Sequence, residues 1–453
     1  MHSRSAAATA GSATKTGIVG ALTTNMLNMI GVGPFLSIPL ALSAVHGSGV
    51  LCAWLLGALI SLGDGLVWAE LGSAMPHSGG PYVYLRTAFN SESYGQLMGF
   101  LVLWTTVVTA PLLIASGAVG FAQYSRFLLP QLHGAGTIAV AAGVCLVNVA
   151  LLYRDIKTIG VMATVLWVMV VGVILWIVAV GARHIPTALL SQWSSASQMT
   201  HGLFWKGMGA ATLIAVYDYA GYYNVCLIGG ELRKPSRTIP YAIIGSLAIV
   251  TVLYVTMNLA IIGSLPFSVS SQSSALVATY MQTLAGTGAA TLADVLVLIA
   301  AFASVFAILL GFSRIPYVAA QEGEFFSIFA CVHPRKNFPH VSLLVLGVCS
   351  AAACFLSLDR LIELVIVIQA ITQFIAQCVA VVVLRGRNSY ARGTGFRMPL
   401  YPLPVCVAMV GWLAIVYTSG ATNIAIAFCF LVLGITAFLI KARQQHHWPF
   451  QTI

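Results

Sequence analysis

A chain of 453 residues with 59% hydrophobic and only 7% charged side chains lies far from the roughly 25% charged content of soluble domains. That excludes a soluble globular protein and identifies an integral membrane protein. The net charge of +10 does not mark a nucleic-acid partner, because with the N-terminus in the cytosol seventeen Lys and Arg fall on the inner side and only Arg126, Arg183, Lys206 and Arg360 fall outside. This is the positive-inside pattern, and it puts both termini in the cytosol.

In chain order, residues 1–16 have neither an apolar core nor a cleavage pattern and are expected to be a disordered cytosolic tail. Apolar runs of about 20 residues then predict twelve spans, near 17–45, 48–72, 94–126, 136–153, 158–182, 203–230, 238–264, 289–319, 340–357, 361–384, 400–418 and 421–440. The first is interrupted by "IGVGPF", Ile30 to Phe35. Two glycines cost a helix interior roughly 1 kcal/mol each and a proline about 3, and backbone groups freed in lipid find no water. Glycine pairs also serve close packing, so this break alone assigns no site.

The second span carries Asp64 in "LISLGDGLVW", an intramembrane carboxylate that relays protons or pairs within the bundle. Glu70 and Glu231, near the cytosolic ends of spans two and six, fall within reach of Arg86, Arg233 or Arg314 and are candidates for an inner gate, with Arg86 and Glu231 as its members. The fifth span contains no basic residue. The sixth, "LFWKGMGAATLIAVYDYAGYYNVCLIGGEL", is weakened at Asp218, Tyr219, Ala220 and Gly221. An intramembrane carboxylate is costly and ordinarily faces a cavity or an ionic partner.

These two interruptions occupy corresponding positions five spans apart, the sequence sign of an inverted-repeat transporter with a site at the bilayer midplane. A break near Ile30 to Pro34 presents free N–H groups and the positive end of the outer half-helix, which suits a carboxylate. The sixth span, descending from outside to about Tyr217, presents unpaired carbonyls and a negative end, which suits an ammonium. Together the two poles match an amino acid. After the seventh span, the uncharged stretch 266–288 reads as a re-entrant or capping helix. In the eighth, Ser304 is a candidate sodium ligand, although a lone Ser in a helix usually bonds its own backbone. The nine cysteines show no CxxC spacing and the one close histidine pair is His446-His447, so no metal centre is expected. No cofactor is implied either.

Several motifs carry a family resemblance. "IGVGPF" resembles the first-helix Gly-x-Gly-Ile-Phe signature of the amino acid–polyamine–organocation (APC) superfamily, and "WAELGSAMPHSGGPYVYL" (68–85) its second-helix motif. "GGELRKPSRTIPYAI" (229–243) is similar to the stretch after helix six, 312–344 to the helix 8–9 connection, and "FRMPLYP" (396–402) to the entry to helix eleven. The resemblance implies an all-α membrane protein of the LeuT type with helices 1 and 6 broken at midplane. Ten core helices would span 17–385 as inverted repeats of about 17–182 and 203–385, followed by two peripheral helices over 386–441 and a cytosolic tail, 442–453.

It also implies alternating-access transport of amino acids or related amines. Ile30, Gly31, Val32 and Gly33 would line the carboxylate side, and Tyr217, Asp218, Tyr219 and Gly221 the amine and side-chain side. Tyr217 would act as an outer aromatic gate and 266–288 as an outer lid. Three departures stand out. Pro34 replaces the usual isoleucine and removes one N–H. Asp218, unusual in the neutral-amino-acid branch, would favour a cationic substrate such as a polyamine, or a bound proton. The helix-five lysine of proton-coupled relatives is missing, leaving Asp218 and Asp64 as proton candidates and Ser304 for a less favoured sodium.

The partners expected are thus a small amino acid or amine, H+ and the plasma-membrane bilayer. The loop "PQLHGAG" (130–136) has no cysteine for a disulfide-linked ancillary subunit. No enzymatic motif such as His-Glu-x-x-His and no nucleotide-binding Gly-rich loop is present, so neither an enzyme nor an ATP-driven pump is expected. A transporter-derived sensor remains the alternative within the same fold.

Overall fold

The structure, a computed structural model, describes residues 16–45, 49–76, 80–90, 93–153, 159–185, 202–334, 338–387, 395–445 and 448–450. The expected N-terminal tail other than Thr16 lies outside the described residues, as do Arg154, Lys157, Arg335, Lys336, Arg392 and the His446-His447 pair.

The described chain is helical, with one isolated bridge between Thr16 and Leu232 as its sole strand-like pairing. In chain order the helices are α1 (Ile18–Met29), α2 (Gly33–Val45), α3 (Val50–Ala74), α4 (Pro81–Ala88), α5 (Tyr94–Leu128), α6 (Ala135–Leu152), α7 (Ile159–Gly181) and α8 (Gly202–Tyr219). A 3-10 helix, Asn224–Glu231, precedes α9 (Pro235–Ser264), α10 (Phe267–Ser270), α11 (Leu276–Ala285), α12 (Thr287–Gln321) and α13 (His340–Ala353). Then come α14 (Leu358–Gln369), a π-helical turn at Ala370–Phe374, α15 (Ile375–Arg385), α16 (Leu403–Thr418) and α17 (Ala421–Gln445).

Among the described residues eight helical runs are long and apolar enough to cross a membrane, one of them α14, the π-helical turn and α15 taken together, and the bent pair α1–α2 makes a ninth. Of the other three expected spans, α13 with 14 residues and α16 with 16 are shorter, while α8 has 18 but is less apolar, carrying Lys206 and Asp218. At 1.5 Å per residue fourteen residues reach about 21 Å, short of a hydrocarbon core of about 30 Å. Length and composition therefore stop short of twelve.

Outward faces are as apolar as the interior, with Leu55, Leu59, Val252 and Val410 exposed, as a lipid solvent requires. Inward faces combine large aromatics such as Trp54 and Trp68 with glycines at close contacts. On α3, a Cβ added at Gly57 would stand 2.9 Å from Ala215 of α8, and one at Gly65 2.9 Å from Leu247 of α9. Such positions let backbones approach where no hydrophobic force separates inside from outside. As a result α3 lies against α8, α9 and α16, while α1 packs on α9 and α2 on α8.

Glu70, at the end of α3 and almost fully buried, accepts from Arg385 Nε at 2.7 Å and Nη2 at 2.5 Å and from the Met398 amide at 2.9 Å. The Arg385 guanidinium also lies 3.9 Å from the Tyr401 ring centroid. Glu70→Ala should therefore strand a partly buried guanidinium and an amide, lowering stability by about 3 kcal/mol. The check is the melting temperature in detergent beside exposed Glu322→Ala; an equal effect of the two would refute this role.

Candidate functional site

The first interruption is a true gap in the helix. α1 ends at Met29, Ile30 leaves helical geometry at φ −91 and ψ 79, and α2 restarts at Gly33 with a 49° change of direction. Ile30 still donates to Met26 O at 2.8 Å, and Phe35 to Val32 O at 3.1 Å. The amides of Gly31 and Val32 have no acceptor among the described residues. They immediately precede the N-terminus of α2, where a half-helix carries about half a positive charge.

The second interruption follows Tyr219. The chain turns through Ala220 to Tyr223 and continues only as the 3-10 helix. Gly221 has φ +113, and a Cβ there would stand 3.0 Å from the carbonyl carbon and Cβ of Asn28. Only glycine suits both the left-handed backbone and the contact, so the two gaps touch at this point.

Asn25 joins them a second time. Its Nδ2 donates to Tyr222 O at 2.5 Å and its Oδ1 accepts from the Val225 amide at 2.9 Å. Nearby, Thr16 and the 231–233 segment exchange backbone bonds of 3.0 and 2.9 Å. Tyr254 of α9 caps the end of α1, donating to Met29 O at 2.7 Å with Asp218 O at 3.5 Å.

Of the residues expected from sequence, Gly31, Gly33, Tyr217, Asp218, Gly221 and Ser304 come together here. A Cβ at Gly33 would stand 2.6 Å from Asp218 Oδ1 and 3.6 Å from the Tyr217 ring, and one at Gly31 3.2 Å from Ser304 Oγ. Asp218 is 3% exposed; its Oδ2 accepts from Ser37 Oγ, one turn into α2, and its Oδ1 has no partner. Tyr217 OH and Ser116 Oγ of α5 are 2.6 Å apart. Ile30 and Val32 are buried at the gap.

Tyr219 is not brought into this group. It packs with Trp54 and Tyr254, ring centroids 6.1 and 5.7 Å away, because successive helix positions turn by about 100° and the face that presents Asp218 to α2 turns Tyr219 elsewhere. Asp64 lies behind the second gap: Oδ2 accepts from Tyr222 OH at 2.6 Å and Oδ1 from Trp412 Nε1 of α16 at 3.1 Å.

The expected gate pairing is also corrected. Arg86 Nη1 bonds Glu324 Oε1 and Tyr82 OH, each at 2.5 Å, whereas Glu231 is exposed with no ion pair among the described residues. Glu70 takes Arg385, not Arg86, Arg233 or Arg314. The physical reason is that α4 turns Arg86 toward the segment after α12, a contact no local spacing encodes. Sequence reading missed Asn25, Ser37, Ser116 and Tyr254, which sit in ordinary helical pattern. It also missed Asp294 in α12, a fully buried carboxylate with neither oxygen partnered, which the same rule that found Asp64 would have flagged.

The comparisons bear on what such a site holds. A family model described as amino acid permease matches residues 18–452. The serine/threonine exchanger SteT of Bacillus subtilis is 28% identical over 416 residues, covering 87% of this chain and 88% of the relative. The branched-chain amino acid permease BcaP of the same organism is 25% identical, covering 92% of both chains. A methylthioribose transporter from that organism is 23% identical over 92% of this chain and 90% of its own length.

Gly221→Ala should destabilise the protein by about 1–3 kcal/mol, the usual cost of a residue forced into a rare backbone region. Gly311→Ala, on an α12 face with nothing within 4 Å, should be neutral or slightly stabilising. Thermal unfolding of both variants checks this, and equal melting temperatures would contradict the strained turn.

Proposed function

Because this chain belongs to the amino acid permease family of the APC superfamily, we propose that it is a secondary active transporter of amino acids working by alternating access. The observation that carries this reading is the pair of facing helix gaps, with the unbonded Gly31 and Val32 amides on one side and the end of α8 on the other. The amides and the α2 N-terminus receive the substrate α-carboxylate. The carbonyls around Tyr217 and Asp218 receive its amine.

In this reading the twelve spans form two inverted repeats of about 17–182 and 203–385, with α16 and α17 peripheral and both termini in the cytosol of a cell whose plasma membrane the chain crosses. Tyr217, held by Ser116, closes the outer side over the site. α11 lies above as a lid, joined to α2 and α5 by Tyr124, whose OH donates to Phe35 O at 2.9 Å and accepts from Val277 N at 3.4 Å. Arg86, with Glu324 in place of Glu231, braces the inner side. H+ is the coupling ion, carried by a buried carboxylate and not by a helix-five lysine. No disulfide-linked subunit is required.

A cationic amine is the second reading, favoured by the carboxylate of Asp218 at the centre of the site. That one relative is named a methylthioribose transporter supports keeping the substrate open beyond amino acids.

Proteoliposomes containing the purified chain should take up or exchange labelled L-serine or L-leucine above protein-free vesicles. Gly31→Leu and Gly33→Leu should reduce this by roughly 100-fold or more, equivalent to about 2.7 kcal/mol, while remaining monodisperse. Retained flux in either variant would remove the first gap from the mechanism. Saturable binding without flux would identify a sensor.

A further inference from the structure

The pole expected to take the substrate carboxylate is already faced by a carboxylate of the protein. Asp218 Oδ1 lies 2.6 Å from where a Gly33 side chain would begin, on the first residue of α2. Its other oxygen is tied to Ser37, one turn further along the same helix. The group is 3% exposed, and Oδ1 has no hydrogen-bond partner among the described residues.

No cation accounts for it. The titratable groups around Asp218 are its chain neighbours Tyr217 and Tyr219, the latter turned toward Trp54, and Tyr254 on α9; α2 brings Gly33 and Ser37. Among the described residues no Lys, Arg or His forms an ion pair with it. The pole is also poor in donors: Pro34 has no N–H, and the Phe35 amide is spent on Val32 O. A second carboxylate arriving here meets like charge at short range with few donors to share, and two carboxylates in one such place do not both stay ionised at low cost.

We infer that Asp218 is an internal competitor for the carboxylate pole of the site, and that an amino acid docks there only together with one proton taken up by Asp218. This rests on the amino acid reading of the two gaps and adds its coupling. The balance is simple: one proton from the water on the open side forms an O–H bond on the Asp218 carboxyl, the zwitterionic substrate keeps its own charges, and the pair moves with net charge +1. Without substrate, Asp218 is held to α2 through Ser37. The device supplies proton coupling in a chain with no basic residue in its fifth span.

Binding of L-serine and L-leucine to the purified full chain, measured calorimetrically from pH 5 to 8.5 beside Asp218→Asn, tests it. Their carboxylate-free counterparts, ethanolamine and isoamylamine, are run in parallel. One proton per substrate predicts that wild-type affinity rises about tenfold per pH unit lowered while Asp218 is ionised. In Asp218→Asn affinity should be flat with pH and at pH 8.5 exceed that of wild type. Should that variant not fold, Ser37→Ala, which removes the bond holding Asp218 to α2, must move the wild-type curve along the pH axis. Amino acid binding that is independent of pH in wild type overturns the inference, as does an unmoved curve in Ser37→Ala. Amine binding at high pH that Asp218→Asn abolishes overturns it in favour of Asp218 as a direct partner of a cationic substrate. Failure of folded wild type to bind either amino acid at any pH removes the underlying reading as well.

Discussion

A helix interrupted inside an apolar protein frees backbone N–H and C=O groups, and each must find a partner or be left for a ligand, because neither lipid nor core offers one. The arrangement around the two gaps follows from that constraint. Asn25 satisfies one donor and one acceptor of the second gap, and Tyr254 takes the last carbonyl of α1. Ser37 reaches across to Asp218. Among the described residues the amides of Gly31 and Val32 at the first gap still have no acceptor, and groups left so are what a ligand would complete.

The partners also divide the gaps into two linked units. α1 is bonded through Thr16 and Asn25 to the segment 222–233. α2 is joined to the end of α8 by Ser37 and Asp218, and α8 in turn to α5 by Tyr217 and Ser116. Half-helices are thus tied to the matching half of the other broken helix more than to their own continuation. Hydrogen bonds across the gaps hold each pair together, while the residues between, Ile30 to Val32 and Ala220 to Tyr223, carry few. A transporter that exposes a fixed site alternately to its two sides needs movable halves with such a seam between them.

The three buried aspartates among the described residues differ in what their surroundings offer. Asp64 has a donor on each oxygen and ties α3 to the second gap and to α16; it reads as an anchor. Asp218 has a donor on one oxygen and Asp294 on neither. The carboxylate left half-satisfied is the one that stands against the first gap, beside Gly33 and Ser37.

The sequence by itself determined the membrane class, through composition and runs of apolar residues, and the family, through the resemblance of its motifs. It pointed to Gly31, Gly33, Pro34 and Gly221 as places that weaken a helix, because their backbone consequences are local. It also marked Asp218 and Asp64, since a carboxylate in an apolar run is conspicuous wherever it points. Only the tertiary structure decided that Asp218 lies on Gly33 and Ser37, that Tyr219 turns into the aromatic packing, and that Arg86 and Glu70 choose Glu324 and Arg385. Each of those joins residues from 181 to 315 positions apart or depends on the face a helix presents after packing. In a membrane protein, whose outward and inward faces are equally apolar, hydrophobic pattern does not reveal that face.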